Sequence, residues 1–384
     1  MPVPTDHSPP EWDAIILGAG PAGAALARRL RPRHRVLLLD RPQARASGAQ
    51  RIGESLPGAA HMLLRRLGIH DSFLAQGHAA RGAMVSQWDS EAPTWFDPIR
   101  DPHGAGWHLD RMRFDASLRA AAIEAGAILV DSARHLTASF DAGRWQVDFE
   151  CDGPLCRTHR APVLVDATGR SMAAARQLGL ARCGKDRLIC LYAHLPVDEC
   201  DEDHSTRICA DSNGWWYSVR VPAGQRVLAF HLDGDDSELK ALRDPARLLA
   251  KARRHQLLAA IQPAVMDFPV HAQPAGGGGL DPGALARLPE GFFAIGDAML
   301  SFDPIASQGL FNALATAESA GRAIERYIDG ANDARESYLT EMRAVAARYG
   351  QRLDETYAAV SRYSHQLFWQ RRAPHSRRTG LLNH

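Results

Sequence analysis

Ala14-Ile15-Ile16-Leu17-Gly18-Ala19-Gly20-Pro21-Ala22-Gly23 decides the fold of this chain. Four apolar residues in a row predict a strand buried on both faces, the kind a parallel sheet requires. The glycines predict a tight turn, and Ala24 to Leu30 a helix opening directly behind it. Gly18 permits the turn, Gly20 lets the backbone approach a pyrophosphate, and Gly23 lets helix and strand pack closely, so that phosphates sit at the positive helix end. Arg35-Val36-Leu37-Leu38-Leu39 predicts a second strand ending at Asp40, whose carboxylate is placed to accept ribose hydroxyls. Its distance from the first glycine is close to the roughly 20 residues of a dinucleotide fold. The motif by itself does not choose between FAD and NAD.

With 384 residues the chain can build two or three compact units, and its formal charge of +1 excludes broad electrostatic capture of nucleic acid or an anionic membrane. The proline-rich start, Met1 to Pro10, lacks the pattern of a secretory signal, and no apolar run approaches the roughly 18 residues of a spanning helix. A cytoplasmic protein is the expectation. The cysteines at 151, 156, 183, 190, 200 and 209 show no Cys-x-x-Cys pair and no zinc spacing, so they are expected to be reduced and mostly structural, and no metal site is expected.

After Asp40, Arg41 opens a polar loop leading into Arg51-Ile52-Gly53-Glu54-Ser55-Leu56-Pro57-Gly58. Trp107 to Arg111 predicts an extended piece, Arg113 to Ala125 a helix, and Ala127-Ile128-Leu129-Val130 a third parallel strand. Pro162-Val163-Leu164-Val165 runs into Asp166-Ala167-Thr168-Gly169-Arg170. Successive strands at 188–195, 206–210, 214–221 and 226–232 lack intervening helices and predict a second, antiparallel domain. Within it Trp215 and Tyr217 share one face and Trp216 the other. Gly276 to Gly279 is expected to be a flexible connector. A strand then ends at Gly296-Asp297, and Ala298 to Gln308 leads into a long helix over 309–328. Helices are predicted over 332–350 and 353–372, with Phe368 and Trp369 packed, Arg371 and Arg372 solvated, and a mobile tail after Pro374.

The strand ends Gly18-Ala19-Gly20, Asp166-Ala167-Thr168-Gly169 and Gly296-Asp297 together resemble the FAD-dependent monooxygenases of the para-hydroxybenzoate hydroxylase fold. Gly53-Glu54-Ser55, Gly214-Trp215-Trp216, Asp303-Pro304-Ile305-Ala306-Ser307-Gln308-Gly309 and Phe368-Trp369-x-x-Arg372 are similar to its halogenase-related branch. The pattern is most similar to flavoproteins that mature tryptophan-derived quinone cofactors. The resemblance runs from about Asp13 to Arg372. It implies an α/β fold: a Rossmann-like FAD-binding domain (12–80, 105–180 and 285–330), an inserted antiparallel-sheet substrate domain (81–104 and 181–284), and C-terminal helices and tail (331–384) after a flexible start (1–11).

By that resemblance, FAD is the cofactor and its pyrophosphate lies at Gly18, Gly20, Pro21, Ala22 and Gly23. Asp40 takes the ribose, Asp166 lies near the flavin and supports its loop, and Asp297 bonds the ribityl chain. Arg41, Arg51, Glu54, Ser55, Arg111, Val130, Gly169 and Gly296 complete the set with Gln308, Leu310 and Asn312. Backbone N–H groups from Pro304 to Gly309 face the flavin edge and favour its reduced anion. The implied reaction is hydroxylation of an aromatic substrate by a flavin C4a-hydroperoxide. That substrate is an aromatic ring, with a tryptophan of a partner protein the candidate, and electrons come from NAD(P)H or a separate flavin reductase. Trp215 and Tyr217 are the candidate pocket wall, ordinary sheet core being the alternative. His108, His194 and His231 are candidate general bases among which the sequence does not choose.

Flavin-dependent halogenases share the Gly-Glu-Ser loop but carry an essential lysine between it and the segment matching Trp107 to Arg111. This chain has no lysine before Lys185, and its Gly214-Trp215-Trp216-Tyr217-Ser218 lacks the halogenase Trp-x-Trp-x-Ile-Pro form. Hydroxylation is therefore placed above halogenation. A small-molecule aromatic hydroxylase and a nucleotide-bound interaction module stay open as alternatives.

Overall fold

Ala14–Leu17 is the central strand of a five-stranded parallel sheet in the computed structural model, in the order Phe292–Ala294, Val163–Asp166, Ala14–Leu17, Val36–Leu39, Ile128–Val130. The structure describes residues 11–31, 33–42, 52–152, 158–184, 186–197, 201–222, 224–261 and 267–373. The central strands are buried along their whole length and apolar up to the terminal Asp166: helix Pro21–Leu30 packs against them, and so does the three-stranded antiparallel sheet of His159–Ala161, Arg144–Glu150 and Arg134–Asp141, whose Trp145 meets Phe292. Helix Pro21–Leu30 packs against helix Gly309–Ile328, where a methyl group at Gly321 would lie 2.8 Å from Cγ of Arg29. Arg29 fastens this contact with bonds to Glu318 and to both carboxylate oxygens of Glu325.

A seven-stranded sheet stands beside it, in the order His271–Pro274, Leu188–Pro196, Gln225–Asp233, Gly214–Val221, Thr206–Asp211, Met84–Gln87, Thr94–Phe96. The pairings are antiparallel except that Met84–Gln87 joins Thr206–Asp211 in parallel. Period-two alternation gives the sheet two buried faces. Trp216 stacks on Phe230 at 4.3 Å within a core that includes Leu248, Leu249 and Leu258. Trp215 and Tyr217 look the other way, into a core shared with Tyr357, Phe368 and Trp369 from the C-terminal part of the chain. The expected fold class is the observed one: parallel nucleotide-type sheet, antiparallel strands, closing helices.

Three expectations are corrected. Gly276 to Gly279 is not a flexible connector: Gly278 and Gly279 pair with Ser301 and Leu300, and a methyl group at Gly279 would lie 2.2 Å from the Met299 carbonyl oxygen. Arg170 and Arg182 also donate to the Gly276 carbonyl, so bare backbone here serves close packing. In place of the two closing helices there is one long helix, Ala334–Ala358, and a short one, Leu367–Gln370, because the chain breaks at 359–366 rather than at Gly350. Arg372 is not solvated but 3% exposed: it donates to Asp186 and Asp233 and lies 3.8 Å from the Phe368 ring centre. Arg371 bonds Asp233 and Asp235. Phe368 and Trp369 are packed as expected. Of the expected mobile ends, residues 1–10 and those after Ala373 lie outside the described residues, while Glu11, expected to be flexible, is held in a bridge with Arg160. Among the described residues no helix is long and apolar enough to cross a membrane.

Candidate functional site

The carboxyl ends of four parallel strands and the inner face of the seven-stranded sheet enclose a cavity of about 650 Å³. Leu17, Leu39, Ala167 and Ile295 mark the strand ends, and Cys190, Trp215, Tyr217, His231 and Gln273 the sheet face. Strand ends of an open α/β sheet are where ligands bind, since the turns there carry unpaired backbone groups.

At one end lies the glycine turn. Gly18 has φ +102°, which a side chain would strain. A methyl group on Gly23 would lie 1.9 Å from the Gly18 carbonyl oxygen, whereas at Gly20 it would meet nothing within 4 Å. Gly20, Pro21 and Ala22 line the cavity, Gly23 lies behind them, and no side chain caps the helix, so its first N–H groups are free for an anion. Asp40 and Arg41 line the cavity too. Asp40 is held by Arg119, which also donates to the Ala19 carbonyl. Val130 stands one step back, accepting the Asp40 amide.

Gly53-Glu54-Ser55 forms another wall. Arg111 donates to the carbonyls of Ile52 and Gly53 and to both oxygens of Asp115, so it ties this loop to the start of helix Arg111–Glu124. Opposite, Pro304–Ala306 makes a single helical turn, Ser307 takes φ +49°, and helix Gly309–Ile328 begins with no side-chain cap. Pro304, Gln308, Gly309 and Leu310 line the cavity, and a methyl group on Gly309 would again meet nothing within 4 Å. Asp303 anchors the turn by accepting the Ile305 amide and the Tyr357 hydroxyl. Asp297 and Gly169 line the cavity, Asp297 with Arg170 3.4 Å away. Asp166, Gly296 and Asn312 act from behind. Asp166 accepts from Thr168 and Ala175, Gly296 donates its amide to Thr316, and Asn312 holds the Leu300 carbonyl.

No family model matches the chain. It is 30% identical over 378 residues, 94% of its own length and 96% of the relative's, to LodB of Marinomonas mediterranea, described as an FAD-dependent oxidoreductase. The chain belongs to this family. The fold is that of flavin-dependent halogenases and hydroxylases. The chondrochloren halogenase CndH, from a myxobacterium, superimposes with a TM-score of 0.80 at 21% identity, over 97% of this chain and 89% of that one. The peptidyl tryptophan dihydroxylase QhpG, essential for tryptophylquinone cofactor biogenesis, gives 0.73 at 21% identity, over 94% and 79%. This LodB relative is accordingly an FAD-dependent enzyme. The cavity fits that cofactor: bare backbone at Gly20, Gly169 and Gly309, where a methyl group would meet open space, and two uncapped helix starts leave room and donors for a phosphate chain and a flat ring.

In this oxidoreductase Trp215 and Tyr217 both line the cavity and both belong to the sheet core, and Trp215 lies 3.6 Å from a parallel His231 ring. The candidate bases separate. His231 reaches the cavity, but burial lowers its pKa to about 3. His108 is buried elsewhere, bonded to Thr206. His194 stands behind Glu54. Arg51 lies outside the described residues. Arg119, Tyr357 and Cys190 were not legible as site residues, because each sits on a helix or strand with no motif and reaches the cavity or its wall only through tertiary packing; Arg170 closes the Asp166 to Arg170 stretch, but its place beside Asp297 is set by packing alone. Asp303 had a signal: Asp-Pro before a helix reads as a cap, which it is.

Proposed function

We propose that this enzyme is an FAD-dependent monooxygenase that hydroxylates an indole, the side chain of a tryptophan in a partner protein. The supporting observation is the pairing, in one cavity, of an aromatic wall from Trp215 and Tyr217 with the two bare helix starts. Bound and reduced FAD supplies the oxygen activation, and NAD(P)H or a separate reductase supplies its electrons. The chain's own residues do the rest. Gly18, Gly20 and Gly23 with Pro21 and Ala22 seat the pyrophosphate, and Asp40, positioned by Arg119, takes the ribose. The backbone from Pro304 to Gly309 stabilises negative charge on the flavin edge. The Trp215 and Tyr217 rings align a flat substrate and exclude water.

Halogenation is the second reading, favoured by the likeness to CndH over 97% of this chain. Against it stands the absence of any lysine before Lys185. The test is to supply holoenzyme with NADH or NADPH, a flavin reductase, oxygen and bromide, together with proteins encoded beside it or with free indole. Gain of one oxygen on a protein tryptophan supports the proposal. Bromination, or faster turnover of free indole, overturns it.

A further inference from the structure

Among the described residues four carboxylates line the cavity: Asp40, Glu54, Asp297 and Asp303. Three are occupied: Asp40 by Arg119, Asp297 by Arg170, and Asp303 by the Ile305 amide and the Tyr357 hydroxyl. Glu54 differs. It is 2% exposed, and among the described residues neither of its side-chain oxygens has a hydrogen-bond partner. Such a group is costly to bury, and a fold that merely needed bulk there would be more stable with an apolar residue.

The groups facing Glu54 come from three elements. Arg111 approaches from helix Arg111–Glu124 with its guanidinium committed to Asp115 and to backbone carbonyls. Strand Leu188–Pro196 contributes Cys190, Tyr192 and His194, and strand Gly214–Val221 contributes Tyr217. Burial raises the thiol and both phenols, which stay protonated at neutral pH, and lowers His194 to about 4. Desolvation raises Glu54 to about 7, against weaker opposing pulls from its own backbone amide, from Arg111 and from the Gly53 amide. Of these groups Glu54 alone exchanges a proton near neutrality. Its Oε1 lies 3.8 Å from Nε2 of His194, whose side chain is 10% exposed.

We propose that Glu54 is the general base of the oxygenation and that His194, beside it, is a positioning residue. This rests on the monooxygenase assignment. As one oxygen atom of O2 bonds to a ring carbon, that carbon's hydrogen leaves as a proton to a Glu54 oxygen, and the C–H electron pair restores aromaticity. The other oxygen atom leaves as water, with two electrons from NAD(P)H. The protonated Glu54 then returns to carboxylate by giving up its proton to water.

Two measurements on the FAD-loaded protein test this. The first needs no turnover: the carboxyl stretch lost in Glu54→Gln, followed by infrared difference spectroscopy against pH, is expected to titrate near 7. A band titrating at the ordinary glutamate value overturns the proposal. The second uses whichever indole substrate the wild type hydroxylates. Glu54→Gln is expected to lose about 100-fold or more in kcat, the scale of a missing general base, with FAD occupancy retained and oxygen diverted to peroxide. The rising limb of the pH profile should vanish with it. Glu54→Asp should restore part of the rate, and His194→Gln should shift the rising limb of the kcat profile while leaving KM unchanged. If Glu54→Gln loses FAD, a displaced pH limb in Glu54→Asp decides in favour and an unmoved one against. Wild-type-rate hydroxylation by Glu54→Gln overturns the base while leaving the monooxygenase standing. Halogenated product from the wild type overturns both.

Discussion

Two glycines three residues apart do different work. A methyl group at Gly20 meets nothing within 4 Å, while one at Gly23 would lie 1.9 Å from a backbone oxygen. Gly20→Ala should therefore leave the apoprotein within about 0.5 kcal/mol of wild type in urea melts, yet weaken FAD about tenfold or more, roughly 1.4 kcal/mol, in a fluorescence titration. Gly23→Ala should destabilise the apoprotein itself by about 1–3 kcal/mol through overpacking. Equal effects of the two would place the phosphates elsewhere. Asp303 carries a pH signature. Burial and the nearby Asp186 raise its carboxyl from 3.8 to about 6. The native state thus binds this proton more tightly than the unfolded chain, so stability is greatest below about 4 and falls as pH rises through about 6, by on the order of 3 kcal/mol. Asp303→Asn should remove that portion of the slope in melts across this range.

The C-terminal segment is more than a lid on the sheet. Tyr357, on helix Ala334–Ala358, accepts the Trp215 indole N–H at 3.1 Å and donates to Asp303 at 2.8 Å, joining the aromatic wall to the turn before helix Gly309–Ile328. Two residues past helix Leu367–Gln370, Arg372 bonds Asp186 and Asp233. Removing one partner of a buried ion pair leaves the others uncompensated, so Arg372→Met should cost about 3–5 kcal/mol in chemical denaturation. Tyr357→Phe should cost about 1–3 kcal/mol and loosen Trp215, seen as a change in its fluorescence. The sequence showed Phe368 and Trp369 as packed but read Arg371 and Arg372 as solvent-facing. A charged residue carries no local mark of burial, and its partners are up to 186 positions away.

Across the whole molecule, the cavity is bounded by both the parallel sheet and the seven-stranded sheet. A ligand held there stabilises both at once. FAD at about 100 times its Kd should add about 2.7 kcal/mol and raise a single calorimetric transition; two transitions, with one unmoved, would show that the halves fold apart. The sequence by itself determined the parallel sheet, the glycine turn, the order of strand-terminal motifs and the period-two split of Trp215 and Tyr217 from Trp216, because each is a local pattern set by backbone geometry. Only the tertiary structure decided that Met84–Gln87 pairs in parallel with Thr206–Asp211, that Gly276 to Gly279 is packed, and that Arg119, Arg170 and Tyr357 support the cavity. It alone left Glu54 buried beside His194, with no hydrogen-bond partner for its carboxylate among the described residues. Those facts depend on which distant atoms meet, and meeting is a property of the packed chain rather than of any stretch within it.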